Sequence, residues 1–132
     1  MIKIILDSNF LFVPFQFQID IFEELEALVG RFEPVVLSTT LEELEALSRK
    51  SSAKTRRLAL SALDLVKRCR TVEVERKPQE SHDDVVLRVA KEWRSPVATN
   101  DRTLRKRLRE AEVATIFLRQ RARLDIEGAL PH

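Results

Sequence analysis

The chain has 132 residues, of which 44% are hydrophobic and 33% charged, and its formal net charge at pH 7 is +2. This length and balance predict one globular domain over residues 1–132 and exclude an intrinsically disordered chain. No apolar stretch is long enough to cross a membrane, and Asp7 interrupts the N-terminal hydrophobic segment, so no signal peptide is expected. The single cysteine, Cys69, cannot form an internal disulfide, which favours a cytoplasmic location.

The scarce residue types narrow the chemistry that the chain can perform. It contains two glycines, two histidines and no tyrosine. A glycine-rich phosphate loop and a dinucleotide fingerprint both need more glycines, so both are excluded. The histidine and cysteine counts disfavour a histidine-based metal site and a structural zinc site. Any catalysis must therefore depend mainly on carboxylates.

The apolar pattern predicts strands that alternate with helices. In chain order, the predicted elements are a strand over 3–6, a packed aromatic connection over 10–17, a helix over 19–29, a strand over 34–38, a helix from 40, a helix over 54–69, a strand over 71–75, a helix over 81–93, a strand over 97–99, a helix to about 111 and a strand over 114–118. Two helix starts have capping-box patterns, Thr40 with Glu43 and Ser81 with Asp84. The alternation predicts an α/β fold with a parallel sheet, helices on both faces and a charged tail from about residue 119.

Four acids fall at the predicted carboxyl edge of this sheet. Asp7 follows the first strand and Asp101 the fourth. In a sheet with strand order 3-2-1-4-5, these two strands are neighbours at the point where the strand order reverses. Ligands of such sheets bind at the carboxyl ends of the strands at this point. Glu43 and Asp84 are expected in the first turns of helices that start at the same edge. Each acid alone could be only a turn or helix-capping residue. Their joint placement favours a site, because clustered carboxylates repel one another unless a cation is bound.

Oxygen-only ligands of this kind suit Mg²⁺ or Mn²⁺. Such an ion lowers the pKa of a bound water and offsets the charge on the departing oxygen in phosphodiester cleavage. A metal-dependent nuclease is therefore the chemistry that the acid cluster favours.

Basic residues form a second pattern, concentrated at 49–57 and 102–123. They suggest a polyanionic partner, since each cation that meets a phosphate releases counterions; the alternative is a solvated helix face. On the helix after Asp101, three arginines share one face at helical spacing. The candidate polyanion-binding residues are Arg102, Arg105 and Arg109, with Arg119, Arg121 and Arg123 extending the track and Arg49, Lys50, Lys54, Arg56 and Arg57 as an opposite wall.

Four segments, in this order, resemble the signature segments of PIN-domain ribonucleases: Leu6–Leu11, Leu41–Leu44, Asp83–Leu87 and Ala98–Leu104. The resemblance covers essentially the whole chain. It implies a three-layer α/β/α domain with a central five-stranded parallel sheet, and Mg²⁺- or Mn²⁺-dependent endonucleolytic cleavage of single-stranded RNA. It places the catalytic and metal-binding acids at Asp7, Glu43, Asp84 and Asp101, with polar support from Ser8, Asn9, Asp83, Thr99 and Asn100.

Within the family, residues 7–17 and 117–120 look most like the branch related to small-subunit rRNA-processing endonucleases. That branch implies an rRNA precursor as substrate and an assembly-factor partner. The toxin branch of toxin–antitoxin pairs instead implies an antitoxin, and a homodimer is compatible with the family. The remaining alternatives are a non-catalytic RNA-binding module of a ribosome-assembly particle and a phosphate-receiving signalling domain. The latter is disfavoured because no paired acid stands beside Asp7 and no lysine follows a late strand.

Overall fold

A computed structural model of the chain describes residues 1–49 and 52–131. These residues form a six-stranded sheet in the order β3-β2-β1-β4-β5-β6, in which the first five strands run parallel and β6 runs antiparallel to β5. The predicted order 3-2-1-4-5 is confirmed, with one strand added. The strands are β1 (Ile2–Leu6), β2 (Phe32–Leu37), β3 (Arg70–Val72), β4 (Val97–Ala98), β5 (Thr115–Arg119) and β6 (Arg123–Glu127).

The helices lie between successive strands, as the alternating pattern predicted. They are α1 (Val13–Phe17), α2 (Ile21–Val29), α3 (Ser38–Arg49), α4 (Ala53–Val66), α5 (His82–Trp93) and α6 (Arg102–Glu110), with a 3-10 turn over Phe10–Phe12. The start of α2 is fixed by Asp20, whose side chain accepts from the backbone of Phe22 and Glu23. Among the described residues, no helix combines the length and apolar character that a membrane crossing needs.

The central strand β1 is buried on both faces, which explains its continuous apolar sequence. Successive side chains of a strand point to opposite faces. Ile4 and Leu6 therefore cluster with Leu25 of α2 and the other residues on that face, whereas Ile5 clusters with Val86 of α5. Helices α2, α3 and α4 contribute to the first core and α5 and α6 to the second. The three-layer arrangement of helices, sheet and helices follows from these two cores.

The segment predicted to be a charged tail is instead the edge strand β6, and that prediction was wrong. It pairs with β5 from Thr115 opposite Glu127 to Arg119 opposite Arg123. Leu124 and Ile126 of this strand join the apolar core, so the sequence did contain the alternation of apolar and polar residues that is typical of a strand. Charged residues between them, and a connecting turn without glycine or asparagine, concealed it.

The predicted capping box of Thr40 and Glu43 was also wrong. Helix α3 begins at Ser38, directly after β2, so Thr40 lies inside the helix and Glu43 lies beyond its first turn. Ser38 is held there because its hydroxyl accepts from the backbone nitrogen of Val74 at 2.9 Å. The strand thus continues into the helix without the connecting turn that the sequence pattern suggested.

Candidate active site

Asp7 lies at the carboxyl end of β1, and its side chain is 4% exposed. Its Oδ1 accepts from the backbone nitrogen of Ser8 at 3.0 Å. Its Oδ2 accepts from Thr99 Oγ1 at 2.8 Å and from Asn9 Nδ2 at 3.0 Å. The backbone nitrogen of Asp7 donates to the carbonyl of Ala98, which joins the ends of β1 and β4. The carboxylate is therefore held rigidly where the two neighbouring strands end.

Two asparagines extend this network towards β5. Asn9 Oδ1 accepts from the backbone nitrogen of Asn100 at 2.8 Å, and Asn100 Oδ1 accepts from the backbone nitrogen of Leu118 at 2.8 Å. The ends of β1, β4 and β5 are thus linked through side-chain amides. Four of the five residues predicted to give polar support to the acids lie in this network, namely Ser8, Asn9, Thr99 and Asn100.

The pKa of Asp7 is raised to about 6, chiefly because burial disfavours the charged form. Hydrogen bonds from Thr99 and Ser8 act in the opposite direction, and the negative charges of Asp83 and Glu43 add to the rise. The carboxylate therefore has acidic neighbours from α3 and α5, as well as a polar cradle from the strand ends.

Asp83 has the same kind of surroundings. Burial raises its pKa, the negative charges of Asp101 and Glu43 raise it further, and the positive charge of Arg107 opposes the rise. The negative charges of Asp7, Glu43, Asp83 and Asp101 therefore act on one another at this edge, and the charge of Asp84 makes a smaller contribution to the pKa of Asp83.

The adjacent Asp84 is occupied by other contacts. It forms a capping box with Ser81, whose backbone nitrogen donates to Asp84 Oδ2 at 2.9 Å, as the sequence predicted. Its Oδ1 forms an ion pair with Arg107 at 2.8 Å. The backbone hydrogen bond from Ser81 and the bond from Arg107 lower the pKa of Asp84. The contacts therefore favour Asp83, expected only as a supporting residue, as the third acid of the cluster.

The signal that separates the two aspartates was already in the sequence. A capping box uses the carboxylate at its fourth residue, here Asp84, to accept from the capping residue, which leaves Asp83 free to point elsewhere. No sequence pattern marked Arg107, whose role depends on the packing of α5 against α6.

Asp101 is the N-cap of α6, where its Oδ1 accepts from the backbone nitrogen of Leu104 at 2.9 Å. Within the described residues, no three histidine, cysteine, aspartate or glutamate side chains are arranged to hold one metal ion together. Several carboxylate oxygens accept hydrogen bonds from the protein instead: those of Asp84 and Asp101 from helix-capping backbone nitrogens, and Oδ2 of Asp7 from Thr99 and Asn9. The donor set is nonetheless of the oxygen-only kind that hard divalent ions prefer.

The basic residues of α6 lie beside this edge of the sheet. The guanidinium of Arg105 lies over the ring of Phe117 at 3.6 Å from its centroid, and its Nε is buried without a hydrogen-bond partner among the described residues. Arg105 lines a small surface cavity together with three other bases of α6 and one acid of β6: Arg102, Lys106, Arg109 and Glu127.

Two of the candidate RNA-binding arginines have acidic partners. Arg109 pairs with Glu127 at 3.7 Å, and Arg119 pairs with Asp125 at 2.5 Å. Lys54 and Arg57 are exposed on α4, which belongs to the opposite helical layer. Lys50 lies outside the described residues. The candidate bases therefore lie on helices of both layers, and their role in binding RNA stays a prediction.

Comparisons with known proteins agree with this geometry. The model of a family described as "PIN like domain" matches residues 4–121. Ribonuclease VapC4 from Methanocaldococcus jannaschii is 36% identical over an alignment that covers 97% of this chain and 98% of that relative.

Solved structures show the same architecture. The PIN domain endonuclease Utp24 superposes with a TM-score of 0.79 at 25% identity, covering 97% of this chain and 92% of that one. A domain of a functionally unknown protein from Methanocaldococcus jannaschii superposes with a TM-score of 0.68 at 17% identity, covering 99% of this chain and all of that one. Since the family match includes the strand that ends at Asp7 and the helix that begins after Asp101, the chain belongs to the PIN-like domain family.

Proposed function

We propose that this chain is a metal-dependent endoribonuclease that hydrolyses phosphodiester bonds of single-stranded RNA. The observation that carries the proposal is the buried carboxylate of Asp7, held by Thr99 and Asn9 and surrounded by the charges of Glu43 and Asp83. Likeness to a ribonuclease and to a PIN domain endonuclease supports it. Perturbed acids that converge at a sheet switch point are typical of catalytic sites.

We infer that the ion is Mg²⁺ or Mn²⁺ and that Asp7, Glu43, Asp83 and Asp101 would hold it. The fit is chemical: these groups offer only oxygen, and a cation would favour the charged forms that burial, and to a smaller extent repulsion, disfavour at Asp7 and Asp83. When bound, such an ion activates a water and offsets charge on the departing oxygen. The sequence assigned the third position to Asp84, and its bond to Arg107 instead suits a role in positioning α5 against α6.

Other residues of the chain are suited to orient the catalytic carboxylate, the attacking water and the RNA. Thr99 and Asn9 fix the direction of the Asp7 carboxylate, and Glu43 is suited to orient the attacking water because it approaches the cluster from a different layer. Arg102 and Arg105 would hold backbone phosphates beside the acids. Arg109 and Arg119 would contribute less, since Glu127 and Asp125 already pair with them. Lys54 and Arg57 would guide the strand from the other side.

The biological context stays a prediction from the sequence. An rRNA-processing role would pair the chain with an rRNA precursor and an assembly factor, and a toxin role would pair it with an antitoxin. A homodimer and a cytoplasmic location are likewise predictions. The Arg105 and Phe117 contact and the neighbouring bases serve RNA binding in either context.

Cleavage of a circular single-stranded RNA tests the proposed reaction. An endonuclease converts the circle into a linear product, whereas an exonuclease leaves it intact. We expect linearisation with Mn²⁺ or Mg²⁺ and none with a chelator. RNA binding without cleavage under any divalent ion would instead favour the non-catalytic RNA-binding module.

A further inference from the structure

A cavity of about 380 Å³ opens beside the Asp7 network, between the aromatic segment that follows β1 and the turn that joins β5 to β6. Sites for small planar molecules commonly have volumes of roughly 300–1,000 Å³. Its walls include the rings of Phe12 and Phe17, and its rim includes the side chains of Gln16, Gln120 and Arg121. The cavity therefore combines two aromatic rings with amides and one cation.

The aromatic walls are fixed in place. Phe12 and Phe17 are only partly buried, and each packs against the apolar core that underlies α1 and α2. Each ring can therefore keep its position while part of its surface faces the cavity. Unstacked bases of single-stranded RNA bind aromatic rings of this kind by stacking, and every base has a suitable face.

The amides provide groups that can distinguish one base from another. In the described part of the chain, the side chains of Gln16 and Gln120 have no hydrogen-bond partner. Asn100 uses its oxygen to accept from Leu118, which leaves its amide hydrogens for another acceptor. Amides both donate and accept, so together they can match the polar edge of a base. No acidic side chain lines this cavity among the described residues, which suits part of a polyanion.

The cavity adjoins the acids directly. Asn9 and Asn100 line it and also belong to the network around Asp7, and Asn9 Nδ2 lies 3.0 Å from Asp7 Oδ2. An occupant is therefore separated from the buried carboxylate by a single side chain. A nucleotide whose base entered the cavity would have its phosphate next to the acid cluster.

The backbone around the cavity is held in uncommon conformations. Gln18 follows α1 with φ of 56°, and Gln120 and Arg121 form the β5–β6 turn with φ of 55° and 58°. Glycine and asparagine are the usual residues in such a turn, because other side chains are strained at positive φ. Strained backbone is often found at ligand sites, where it is tolerated because the side chain of the strained residue contacts the ligand. Gln120 and Arg121 combine this strained backbone with a place in the lining of the cavity.

We propose that this cavity binds one unstacked nucleobase of the RNA, next to the bond that is cut, and sets the base preference at that position. The base stacks on Phe17, with Phe12 as the neighbouring apolar wall. Gln16, Gln120 and Asn100 contact the edge of the base, and Arg121 meets a flanking phosphate. This proposal rests on the proposed function, because it needs a single-stranded RNA substrate.

The test uses a short single-stranded RNA in which the wild-type chain has a mapped cut site. Each nucleotide in turn is replaced by an abasic one, and binding is measured by fluorescence anisotropy without divalent ions. We expect one position beside the cut to lose about 10-fold in affinity when its base is missing, since stacking contributes roughly 1–3 kcal/mol per base. In Phe17→Leu this loss should nearly vanish, because the variant cannot stack the base.

Phe15→Leu is the matched control, because Phe15 lies on the same helix, is 44% exposed and does not line the cavity. It should keep the abasic effect. Gln120→Ala, in an exposed turn, tests the same cavity without altering the core, and should change the ranking of the four bases at that position. Equal abasic effects in Phe17→Leu and Phe15→Leu, with an unchanged ranking in Gln120→Ala, would overturn the proposal while leaving the nuclease intact. Absence of any cut site would overturn the proposed function and this inference together.

Discussion

Thr99 Oγ1 donates a hydrogen bond of 2.8 Å to Asp7 Oδ2, and neither side chain is more than 4% exposed. The bond joins the ends of two neighbouring strands that are distant in sequence. It acts on the ionised form of Asp7, because it opposes the effect of burial on that pKa. The contact therefore links the stability of the sheet edge to the charge of the central acid.

Thr99→Val should raise the pKa of Asp7 above its value of about 6, because the hydrogen bond that favours the carboxylate is lost. The acidic limb of the pH–rate profile should then move to higher pH, and the free energy of unfolding at pH 8 should fall by about 1–3 kcal/mol. Thr115→Val is the matched control, because Thr115 is equally buried but its hydroxyl reaches only the backbone of Val113. A pH profile that shifts equally in both variants would contradict the assigned role.

Asp7→Asn should stabilise the fold at pH 8 and have little effect on stability near pH 3.5. The folded-state pKa of about 6 exceeds the ordinary value of 3.8, so the charged carboxylate destabilises the fold above pH 6 and this penalty disappears as pH falls through 6 towards 4. A shift of this size corresponds to roughly 3 kcal/mol. Denaturant unfolding at the two pH values measures the difference.

Asp125→Asn should change the stability of the fold in the opposite direction from Asp7→Asn. The reason is that the hydrogen bond from the backbone of Ile126 and the ion pair with Arg119 lower the pKa of Asp125. Its loss should destabilise the fold at pH 8 and have less effect once both states are protonated. A stability change for Asp7→Asn that is the same at both pH values would contradict the burial effect.

Asp83→Asn and Asp84→Asn should separate catalysis from structure. Asp83→Asn removes one charge from the repelling cluster, so we expect the fold to keep its stability while cleavage falls by about 100-fold. Asp84→Asn weakens the capping box and the pair with Arg107, so the melting temperature should fall while cleavage by the folded fraction continues. If Asp84→Asn abolished cleavage while Asp83→Asn only lowered the melting temperature, Asp84 and not Asp83 would be the third metal-binding acid.

Divalent ions should bind at the cluster even without RNA. An ion that binds only the folded chain raises its stability by about 2.7 kcal/mol at a concentration of 100 Kd. We expect Mn²⁺ to raise the melting temperature of the wild type and of Asp64→Asn, whose carboxylate is exposed on α4, and to have little effect on Asp7→Asn. An equal shift in all three proteins would place the ion elsewhere.

Much of the site could be predicted because its residues follow strand ends. Asp7, Asn9, Thr99 and Asn100 could be located from the apolar runs that precede them. The predicted capping box already assigned the carboxylate of Asp84 to Ser81, but the contact of Asp84 with Arg107 could not be predicted, because it depends on the crossing of α5 and α6.

The parts that the sequence did not reveal depend on contacts between distant segments. Strand β6 was concealed because its charged residues face outward and its turn lacks the usual glycine. Residues 10–17 were correctly expected to pack on the domain, but the cavity they form needs the β5–β6 turn as its other wall. No pattern within either segment predicts that the two segments lie side by side.

The proposed function requires Asp7 as the acid on which RNA cleavage depends. It is tested most directly by comparing wild type, Asp7→Asn and Asp64→Asn on a labelled single-stranded RNA with Mn²⁺, with binding measured in parallel. We predict that Asp7→Asn binds the RNA as tightly as the wild type and cuts it at least about 100-fold more slowly, whereas Asp64→Asn cuts normally. Cleavage by Asp7→Asn at the wild-type rate would contradict this role of Asp7.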